Sequence, residues 1–334
     1  MLRQKANILT ALLVIPLLFS CSSQKEKSSK LKISVIPKGT THIFWKSIHA
    51  GAIKAAQEEN VDMLWVGPEL ESDRQQQITL VNNQVINQVD GIVLAPTDAR
   101  SLKRPVREAA RNNIPVVIID SNLEKAEDLY TSFVATDNRK GGQIAGEKLG
   151  NLLGGKGKVI MLRLQEGSAS TTNREEGFLE AIGKFSDIEV VSDEQYGGST
   201  KASAQQVAET LIMRFKDDNG KFDVDGIFCC NESTTYGMLQ ALRRHRLAGK
   251  VKFVGFDAEK TLIEAMDQQE IHGLVVQNPF KMGYLGVKTI VSHLNNKTVE
   301  KRIDTGVTFV TREKMDVPEI KELLTPDINK WLKQ

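Results

Sequence analysis

A strand, helix, strand, helix alternation over residues 251–287 most limits what this chain can fold into. Residues 251–256 form a short apolar run rich in β-branched side chains, which fits a buried strand and is too short for a helix. Residues 259–266 have helical spacing, and residues 273–276 form another short apolar run. Because the same alternation runs through most of the chain, with near-continuous apolar strand candidates, the sequence predicts an α/β fold with parallel sheets.

Each of the two strands in this stretch is followed directly by a polar side chain. Asp257 follows the first strand and Gln277 follows the second. Asn278 can then cap the next helix, whose first position suits Pro279. Small ligands bind at the carboxyl ends of the strands in open α/β sheets, so the two side chains mark a candidate binding edge.

The alternation is interrupted once, at an acidic loop over residues 123–130. We place the first crossing between two domains after this loop, because the rhythm of strands and helices then restarts. A folded chain of about 300 residues is also long enough for two domains. The predicted fold is therefore two doubly wound parallel-sheet domains in series.

The first residues resemble a bacterial lipoprotein signal. After a basic start, residues 8–19 form a mostly apolar stretch that is too short to span a bilayer, which needs about 20 residues. A small residue then precedes Cys21. We expect removal of residues 1–20, a lipid on Cys21 and a polar tether over residues 21–30. The alternative is an ordinary secretory signal with a chance cysteine.

The charge balance argues against nucleic-acid binding. The formal net charge is +2, and loss of residues 1–20 removes two basic groups and no acidic group, which leaves 0. Nucleic-acid affinity depends on cations that neutralise phosphates. The one dense basic run, residues 243–246, suits the end of a helix, where cations complement the helix dipole.

The sequence offers no convincing catalytic, metal or disulfide motif. Its three cysteines do not make a disulfide framework, and its five histidines lack metal-binding spacing. The adjacent Cys229 and Cys230 suit small buried residues, with a strained vicinal disulfide as the alternative. Residues 150–156 match G-x-x-x-x-G-K, but Gly157 stands where a magnesium-binding hydroxyl belongs. We therefore predict no catalytic residue, metal or cofactor.

Polar and aromatic side chains recur where predicted strands end. Asp120 could simply begin a turn, Asn231 and Asp257 could cap helices, and Arg174 could be a solvated residue of a first helical turn. Six such positions at corresponding edges of two domains nevertheless favour a common site. They are Phe44-Trp45 in the loop after the first strand, Asp120, Arg174, Asn231, Asp257 and Gln277.

This mixture of side chains suits a polyhydroxylated ligand. Aromatic faces pack against the apolar C–H side of a sugar ring. Carboxylate, amide and guanidinium groups offer forked hydrogen bonding to neighbouring hydroxyls. A hydrogen bond to a charged group contributes roughly 1.5–3 kcal/mol, so several together support micromolar binding, which needs about 8 kcal/mol.

Residues 31–312 resemble the periplasmic ribose-type sugar-binding proteins of ABC importers, which share a fold with the ligand domain of lac-repressor-type regulators. The resemblance implies the type I periplasmic binding protein fold and ligand contacts at Phe44, Trp45, Asp120, Arg174, Asn231, Asp257 and Gln277. The motifs that carry it are Phe44-Trp45 before a helix, residues 114–120, Thr136-Asp137-Asn138, residues 173–178, Asn231-Glu232, residues 254–257 and residues 276–279.

The resemblance also implies three crossings between the domains, which act as a hinge. They fall at Thr136-Asp137, at Gln277-Asn278 and at Asp304-Thr305. The N-terminal lobe would then comprise residues 31–135 plus 279–304. The C-terminal lobe would comprise residues 136–278 plus 305–334.

Departures from the ribose-type pattern bear on the ligand. His42 stands where that pattern has Asn, and we include it among the predicted ligand contacts. Ser121 stands where Arg is frequent, and Gly197-Gly198-Ser199 replaces an aromatic residue. We therefore expect a roomier, less cationic pocket and a sugar other than ribose, or a sugar derivative. Glu166 and residues 168–172 either line the cleft or form a surface loop.

We expect a monomeric solute-binding lipoprotein in the envelope of a bacterium, on the periplasmic or extracellular face of a membrane. This lipoprotein would pass its ligand to an ABC permease.

Three other functions are considered. A sensor partner of a membrane kinase or chemoreceptor would use the same binding chemistry. A transcription regulator would need a helix-turn-helix before the first strand, and residues 22–30 are too short for one. An α/β enzyme would turn over its ligand.

Overall fold

The computed structural model describes residues 30–333. The predicted signal and Cys21 lie outside the described residues, as does all of the predicted tether except Lys30. Within the described part of the chain, no helix has the length and apolar character that crossing a membrane requires.

Twelve strands occur in the described residues. The sequence pattern predicts the first ten of them, at residues 31–36, 61–66, 90–94, 115–119, 133–135, 157–162, 188–194, 225–230, 251–256 and 272–276. The two others, at residues 302–304 and 307–310, are short and mostly not buried, so they lack the continuous apolar run that marks the other short strands. The strands are β1 Lys32–Ile36, β2 Asp62–Trp65, β3 Gly91–Leu94, β4 Val116–Ile119, β5 Ser132–Ala135, β6 Lys156–Arg163, β7 Asp187–Tyr196, β8 Gly226–Cys229, β9 Lys252–Phe256, β10 Gly273–Gln277, β11 Arg302–Asp304 and β12 Val307–Val310.

Helices connect most of the strands, as the sequence predicts. Asn278 caps α9 by accepting a hydrogen bond from the Lys281 amide at 2.9 Å, and Pro279 is the first residue of that helix. The α-helices are α1 Ile43–Glu59, α2 Arg74–Ile86, α3 Lys103–Arg111, α4 Asn138–Leu152, α5 Ala169–Ile182, α6 Lys201–Arg214, α7 Glu232–Arg244, α8 Lys260–Asp267, α9 Pro279–Leu294, α10 Pro318–Leu324 and α11 Asn329–Leu332.

The strands form two six-stranded sheets, one in each domain. The first sheet has the order β11-β5-β4-β3-β1-β2, and the second has the order β12-β10-β9-β8-β6-β7. All pairs are parallel except β10 with β12. The order is equivalent in the two sheets, so β4 corresponds to β9 and β5 to β10. The predicted fold of two doubly wound α/β domains is confirmed.

Each sheet is covered on both faces, which explains the continuous apolar runs of its strands. In β3, Ile92 packs in one core and Val93 in another, and both are fully buried. In β9, Phe253 and Val254 likewise belong to separate cores. Because successive side chains of a strand point to opposite faces, a strand between two helical layers must be apolar throughout.

The chain passes between the two sheets three times. It leaves the first sheet at residues 136–137, returns at residue 278 and leaves again at residues 305–306. Gln277 and Asp304 are the last residues of β10 and β11, directly before two of these crossings. The sequence-predicted hinge residues therefore lie at or beside the crossings, and their action as a hinge stays a prediction.

Two of the crossings are tied to each other by hydrogen bonds. The hydroxyls of Thr136 and Thr305 lie 3.3 Å apart. Asp304 Oδ1 accepts from the Asp137 amide at 3.3 Å and from the Gly306 amide at 2.9 Å. These contacts join neighbouring parts of the same linker region, so the two segments can move together.

The C-terminal segment contacts both domains. Leu324 of α10 is buried in a core of the second domain. The last helix, α11, instead contacts α1 of the first domain. The sequence analysis assigned all of residues 305–334 to the C-terminal lobe, whereas the end of this segment reaches across to the other lobe.

One helix pair in each domain packs with glycine against backbone. A Cβ on Gly142 of α4 would lie 1.9 Å from the Arg174 carbonyl oxygen of α5. A Cβ on Gly51 of α1 would lie 2.0 Å from the Phe280 carbonyl oxygen of α9. Since α4 and α9 each follow a crossing, the two domains use the same arrangement.

Replacement of Gly142 by alanine should destabilise the second domain. The added methyl cannot fit against the Arg174 carbonyl, so α4 and α5 must separate, and overpacking of this kind costs about 1–3 kcal/mol. Urea unfolding followed by circular dichroism measures the effect. Gly183→Ala is the matched control, because its Cβ would lie 3.0 Å from the nearest atom. Equal midpoints for the two variants would show that the close approach of α4 and α5 is not required.

Candidate ligand-binding site

A cavity lies between the facing edges of the two sheets, with about 310 Å³ of empty volume that is partly open to solvent. Six of its lining residues were not selected from the sequence: Lys38, Glu71, Leu164, Ser170, Thr171 and Glu232. All eight side chains that were selected also line it: His42, Phe44, Trp45, Asp120, Arg174, Asn231, Asp257 and Gln277. The structure thus brings the whole predicted set together between the domains.

Two aspartates occupy equivalent positions at the ends of β4 and β9. Both have left-handed backbone conformations, with φ of 60° at Asp120 and 69° at Asp257. Each backbone amide donates a hydrogen bond to the neighbouring strand: the Asp120 amide to the Val134 carbonyl at 3.2 Å, and the Asp257 amide to the Val275 carbonyl at 2.8 Å. A left-handed non-glycine residue costs about 1–3 kcal/mol and is concentrated at functional sites. The repeated conformation turns each carboxylate toward the cavity it lines.

Asp257 is buried in a hydrogen-bonded cluster of the second domain. Its Oδ1 accepts from Gln277 Nε2 at 2.6 Å, and its Oδ2 accepts from the Glu232 amide at 3.0 Å. The Arg174 guanidinium lies 3.9 Å from Oδ2. Burial raises the pKa of Asp257 to about 6, against the opposing effects of Arg174 and Gln277. The carboxylate is mostly ionised at neutral pH and titrates just below it.

Arg174 is held rigidly and is only 2% exposed, so the alternative of a solvated helix residue is wrong. Its Nε donates to Asn138 Oδ1 at 2.8 Å, and its Nη1 donates to the Cys230 carbonyl at 3.0 Å. The guanidinium carbon lies 4.0 Å from the centre of the Phe256 ring. These contacts fix a planar donor group at the wall of the cavity.

Lys38 supplies a cation that the sequence analysis overlooked when it predicted a less cationic pocket. Its Nζ lies 2.7 Å from Asp120 Oδ2 and donates to Ser170 Oγ at 2.9 Å. The contact with Asp120 has the distance of an ion pair but not the angles of a hydrogen bond, so Oδ2 keeps acceptor capacity. Lys38 is the second residue after β1, near a strand end like the selected residues.

A second buried cluster joins His42, Glu71 and Trp45 in the first domain. Glu71 Oε1 lies 3.1 Å from His42 Nδ1 and accepts from Trp45 Nε1 at 2.8 Å. Burial alone would raise the pKa of Glu71, but the hydrogen bond and charge of His42 outweigh it and lower that pKa. Burial would likewise lower the pKa of His42, and Glu71 raises it above its usual value. Because it accepts the hydrogen bond from Trp45 Nε1, the Glu71 carboxylate also fixes the orientation of the Trp45 indole ring.

Asn231 both caps α7 and lines the cavity, so the prediction of a helix cap is confirmed and its contact with a ligand stays a prediction. Its Oδ1 accepts from the Thr234 amide at 3.2 Å, and its Nδ2 donates to Ser233 Oγ at 3.0 Å. The next residue, Glu232, accepts from the Phe44 amide of the other domain at 3.1 Å. The Phe44 ring packs edge-on against Trp45, with centroids 4.9 Å apart.

Further hydrogen bonds connect the two domains around the cavity. The Ser170 amide donates to Ser121 Oγ at 3.0 Å, and the Ala99 amide donates to the Gly167 carbonyl at 2.9 Å. Ser199 Oγ donates to Ser72 Oγ at 3.2 Å. Within residues 168–172, Ser168, Ser170 and Thr171 are buried, so the interpretation of this run as a surface loop is wrong.

The residues missed from the sequence differ in the signal they carry. Glu232 stands beside the selected Asn231, and Lys38 follows a strand, so both could have been found by their position. Glu71 lies in the loop between β2 and α2, where no local pattern marks it. Its role depends on contacts with residues 26 and 29 positions earlier in the chain.

The cysteines do not form a second site. Cys229 and Cys230 are free thiols and are fully buried. Burial raises the pKa of both thiols well above the usual value, which makes them unreactive. Residues 30–333 also contain no group of three or more metal-ligating side chains arranged for an ion.

The cavity is equipped for a ligand rich in hydroxyl groups. Three buried acceptor oxygens lack a hydrogen-bond partner in the described chain: Asp120 Oδ2, Glu232 Oε1 and Gln277 Oε1. Lysines lie near the first two at ion-pair distance. Hydroxyl donors would satisfy all three, while Trp45 and Phe44 offer apolar surface.

Comparison with known proteins gives concordant results. A family model described as a periplasmic binding protein domain matches residues 33–298. The D-ribose/D-allose-binding protein of Pseudomonas aeruginosa is 28% identical over 321 residues, which cover 90% of this chain and 97% of that protein. The ribose import binding protein of Escherichia coli is 25% identical over 91% of this chain and 98% of that protein.

Two solved structures resemble the fold closely. A solute-binding protein of an ABC transporter from Agrobacterium vitis, with bound D-fucose, has a TM-score of 0.84 and 35% identity, over 88% of this chain and 100% of that one. A carbohydrate transporter solute-binding protein from Agrobacterium radiobacter, in complex with D-arabinose, has a TM-score of 0.83 and 32% identity, over 89% and 100%.

These relatives are solute-binding transport proteins and not enzymes, which confirms the prediction of a non-catalytic protein. The family model spans most of the chain, and the sequence motifs, the two-domain fold and the interdomain cavity agree with it. The chain therefore belongs to the periplasmic binding protein family, among its ribose-type sugar-binding members.

Proposed function

We propose that this protein is an extracytoplasmic lipoprotein that captures a sugar or a sugar derivative between two hinged lobes and delivers it to an ABC importer. The observation that carries the proposal is the convergence of polar and aromatic side chains from both domains on one cavity. The relatives add support, because their names and bound ligands include ribose, allose, D-fucose and D-arabinose.

The binding residues and their roles follow from the site. Rings of Phe44 and Trp45 cover one apolar face of the sugar, and Arg174 and Lys38 donate to its oxygens. The acceptors for its hydroxyls are carboxylate and amide oxygens. The proposed contact set is His42, Phe44, Trp45, Asp120, Arg174, Asn231, Asp257 and Gln277, with Lys38, Glu71, Ser170, Thr171 and Glu232 added from the structure.

Closure of the lobes couples binding to delivery. The first lobe comprises residues 31–135 and 279–304, and the second comprises residues 136–278 and 305–334. A ligand that contacts both lobes favours the closed state, so it shifts the hinge equilibrium toward closure. The hinge residues are Thr136, Asp137, Gln277, Asn278, Asp304 and Thr305.

A screen of mono- and disaccharides tests the binding function. Binding to the folded state raises the melting temperature, and titration calorimetry then gives the affinity. Absence of binding by any sugar would refute the function. Turnover of a bound sugar would instead favour an enzyme. If a sugar binds but deletion of the gene leaves its uptake intact, delivery to an importer is refuted.

Affinity for the best sugar should depend on the ionisation of Asp257. The carboxylate accepts hydrogen bonds best when ionised, so affinity should fall as the pH drops through the pKa of about 6. The ionised fraction decreases by about tenfold between pH 7 and pH 5, and affinity should decrease equally.

Asp257→Asn should weaken binding at pH 7 by roughly 10- to 150-fold, which is the loss expected for hydrogen bonds to a charged group. The same substitution should make the affinity independent of pH over this range.

Calorimetry at several pH values measures both effects. Asp187→Asn is the matched control, because Asp187 is exposed at the start of β7, away from the cavity. A variant at Asp257 that keeps full affinity and the wild-type pH profile would show that this carboxylate does not contact the ligand.

Gly167→Ala should block closure while each lobe stays folded. A Cβ on Gly167 would lie 2.1 Å from Asp98 Oδ2 of the opposite lobe, so the Ala99–Gly167 hydrogen bond could not form. We expect at least a tenfold loss of sugar affinity, since a tenfold change needs only about 1.4 kcal/mol. Small-angle scattering with saturating sugar should show a more open protein than the wild type.

Gly154→Ala separates closure from backbone strain. Gly154 also has a positive φ, of 66°, but a Cβ there would contact nothing within 4 Å. Both substitutions place an alanine at a positive φ, so both cost backbone conformational energy. Only the methyl group added by Gly167→Ala would contact the opposite lobe. Equal affinities for the two variants would exclude the closure mechanism.

Cys21→Ser should release the protein from the membrane fraction. A thioether-linked lipid needs the cysteine sulfur, and acyl chains bind the bilayer by about 0.8 kcal/mol per buried CH₂. Fractionation and labelling with a radioactive fatty acid measure the anchor, with Ser22→Ala as the control. Persistence of label and membrane association in Cys21→Ser would rule out lipidation at this residue.

A further inference from the structure

A second chamber adjoins the sugar cavity and is much larger. It has about 960 Å³ of empty volume, partly open to solvent, compared with about 310 Å³ for the sugar cavity. It lies between the start of α1, the start of α8 and the C-terminal segment. Its apolar walls are Ile43, Phe44, Ile263, Pro279, Leu323 and Ile328. We call it the apolar chamber.

The apolar chamber and the sugar cavity share three walls: Phe44, Asp257 and Gln277. Trp45, by contrast, lines only the sugar cavity, and its edge-on contact with Phe44 places the Phe44 ring between the two spaces. Gln277 is 2% exposed, and its Oε1 has no hydrogen-bond partner in the described chain. An unsatisfied buried acceptor at this junction indicates that a hydroxyl of the sugar belongs beside it, which places the ring at the boundary of the chamber.

We infer that the ligand is a glycoside whose apolar aglycone, an alkyl or aryl group, occupies the apolar chamber. The inference rests on the proposed function, because the sugar ring must first bind in the sugar cavity. The part of the apolar chamber that a small molecule can reach is about 330 Å³, and a cavity of roughly 150 Å³ lined by apolar side chains admits a benzene ring, so an aryl aglycone has room here.

Charges at the rim restrict the aglycone further. Glu259 and Glu264 line the chamber beside one cation, Lys260, and Glu259 pairs with Lys201 at 3.0 Å. Asp257 adds a carboxylate at the junction. An anionic aglycone, such as a phosphate or a carboxylate, would meet like charge there. The chamber therefore disfavours sugar phosphates and acidic glycosides, and its apolar walls suit an uncharged alkyl or aryl group.

The test compares the best free sugar with its methyl, n-butyl and phenyl glycosides, both anomers of each, by calorimetry on the wild-type protein. The butyl or phenyl glycoside of one anomer should bind at least about tenfold more tightly than the free sugar, since two buried methylenes suffice for a factor of this size. If the free sugar binds and no glycoside binds more tightly, this inference is overturned and the proposed function stands. If neither binds, the proposed function fails and this inference falls with it.

Two variants locate the aglycone. Ile328→Asn makes one chamber wall polar at a residue that does not line the sugar cavity, and Ala258→Phe fills the chamber from the loop before α8. Both should abolish the advantage of the glycoside and leave the affinity for the free sugar within about twofold. The matched control is Ile320→Asn, because Ile320 lies on the same C-terminal segment but does not line the chamber. An undiminished glycoside advantage in both variants would place the aglycone elsewhere and overturn the inference.

Discussion

The structure depends on how charge is neutralised where the two domains meet. Removing a charge from water costs several kcal/mol unless a partner compensates it. Lys38 and Asp120 pair within the first domain, and Arg174 faces Asp257 within the second. Each domain thus compensates its own buried charges, so separation of the domains leaves none of these groups without its partner. The interface can open because its ion pairs do not bridge it.

The two domains reach this arrangement by the same local means. Equivalent central strands end in an aspartate with a left-handed backbone, at Asp120 and Asp257. In each domain, the helix that follows a crossing packs backbone against backbone at glycine, at Gly142 in α4 and at Gly51 opposite α9. The sheet edges at which β4 and β9 end are equivalent and face each other. Together they can hold one small molecule from opposite sides, and neither edge could enclose that molecule alone.

Local pattern was enough to predict ten of the twelve described strands and eight of the residues that line the cavity. Asp257 and Gln277 were found because a short apolar run and the polar residue after it are adjacent in sequence. Glu71 was missed because its partners, His42 and Trp45, lie more than 25 positions away and no local pattern joins them. Arg174 had a solvated alternative because its burial depends on Asn138 and Cys230, which only the fold brings near it. The sequence predicts which segments are strands and helices, but it does not show which distant residues come into contact, and this is why part of the site was missed.

The contacts that do bridge the domains set the balance between open and closed forms. They are neutral bonds, such as Ser170 to Ser121 and Ala99 to Gly167, together with bonds in which a single charged group meets a neutral one, such as Lys38 to Ser170 and Phe44 to Glu232. A neutral hydrogen bond contributes about 0.5–1.5 kcal/mol net and one to a charged group roughly 1.5–3 kcal/mol, so the four bonds named here together stabilise closure by roughly 4–9 kcal/mol. A ligand must add about 5.5 kcal/mol of preference to invert a 99:1 bias. Because the protein's own contacts across the interface are comparable in size with this preference, and its ion pairs lie within the domains, the ligand can decide the state of the hinge.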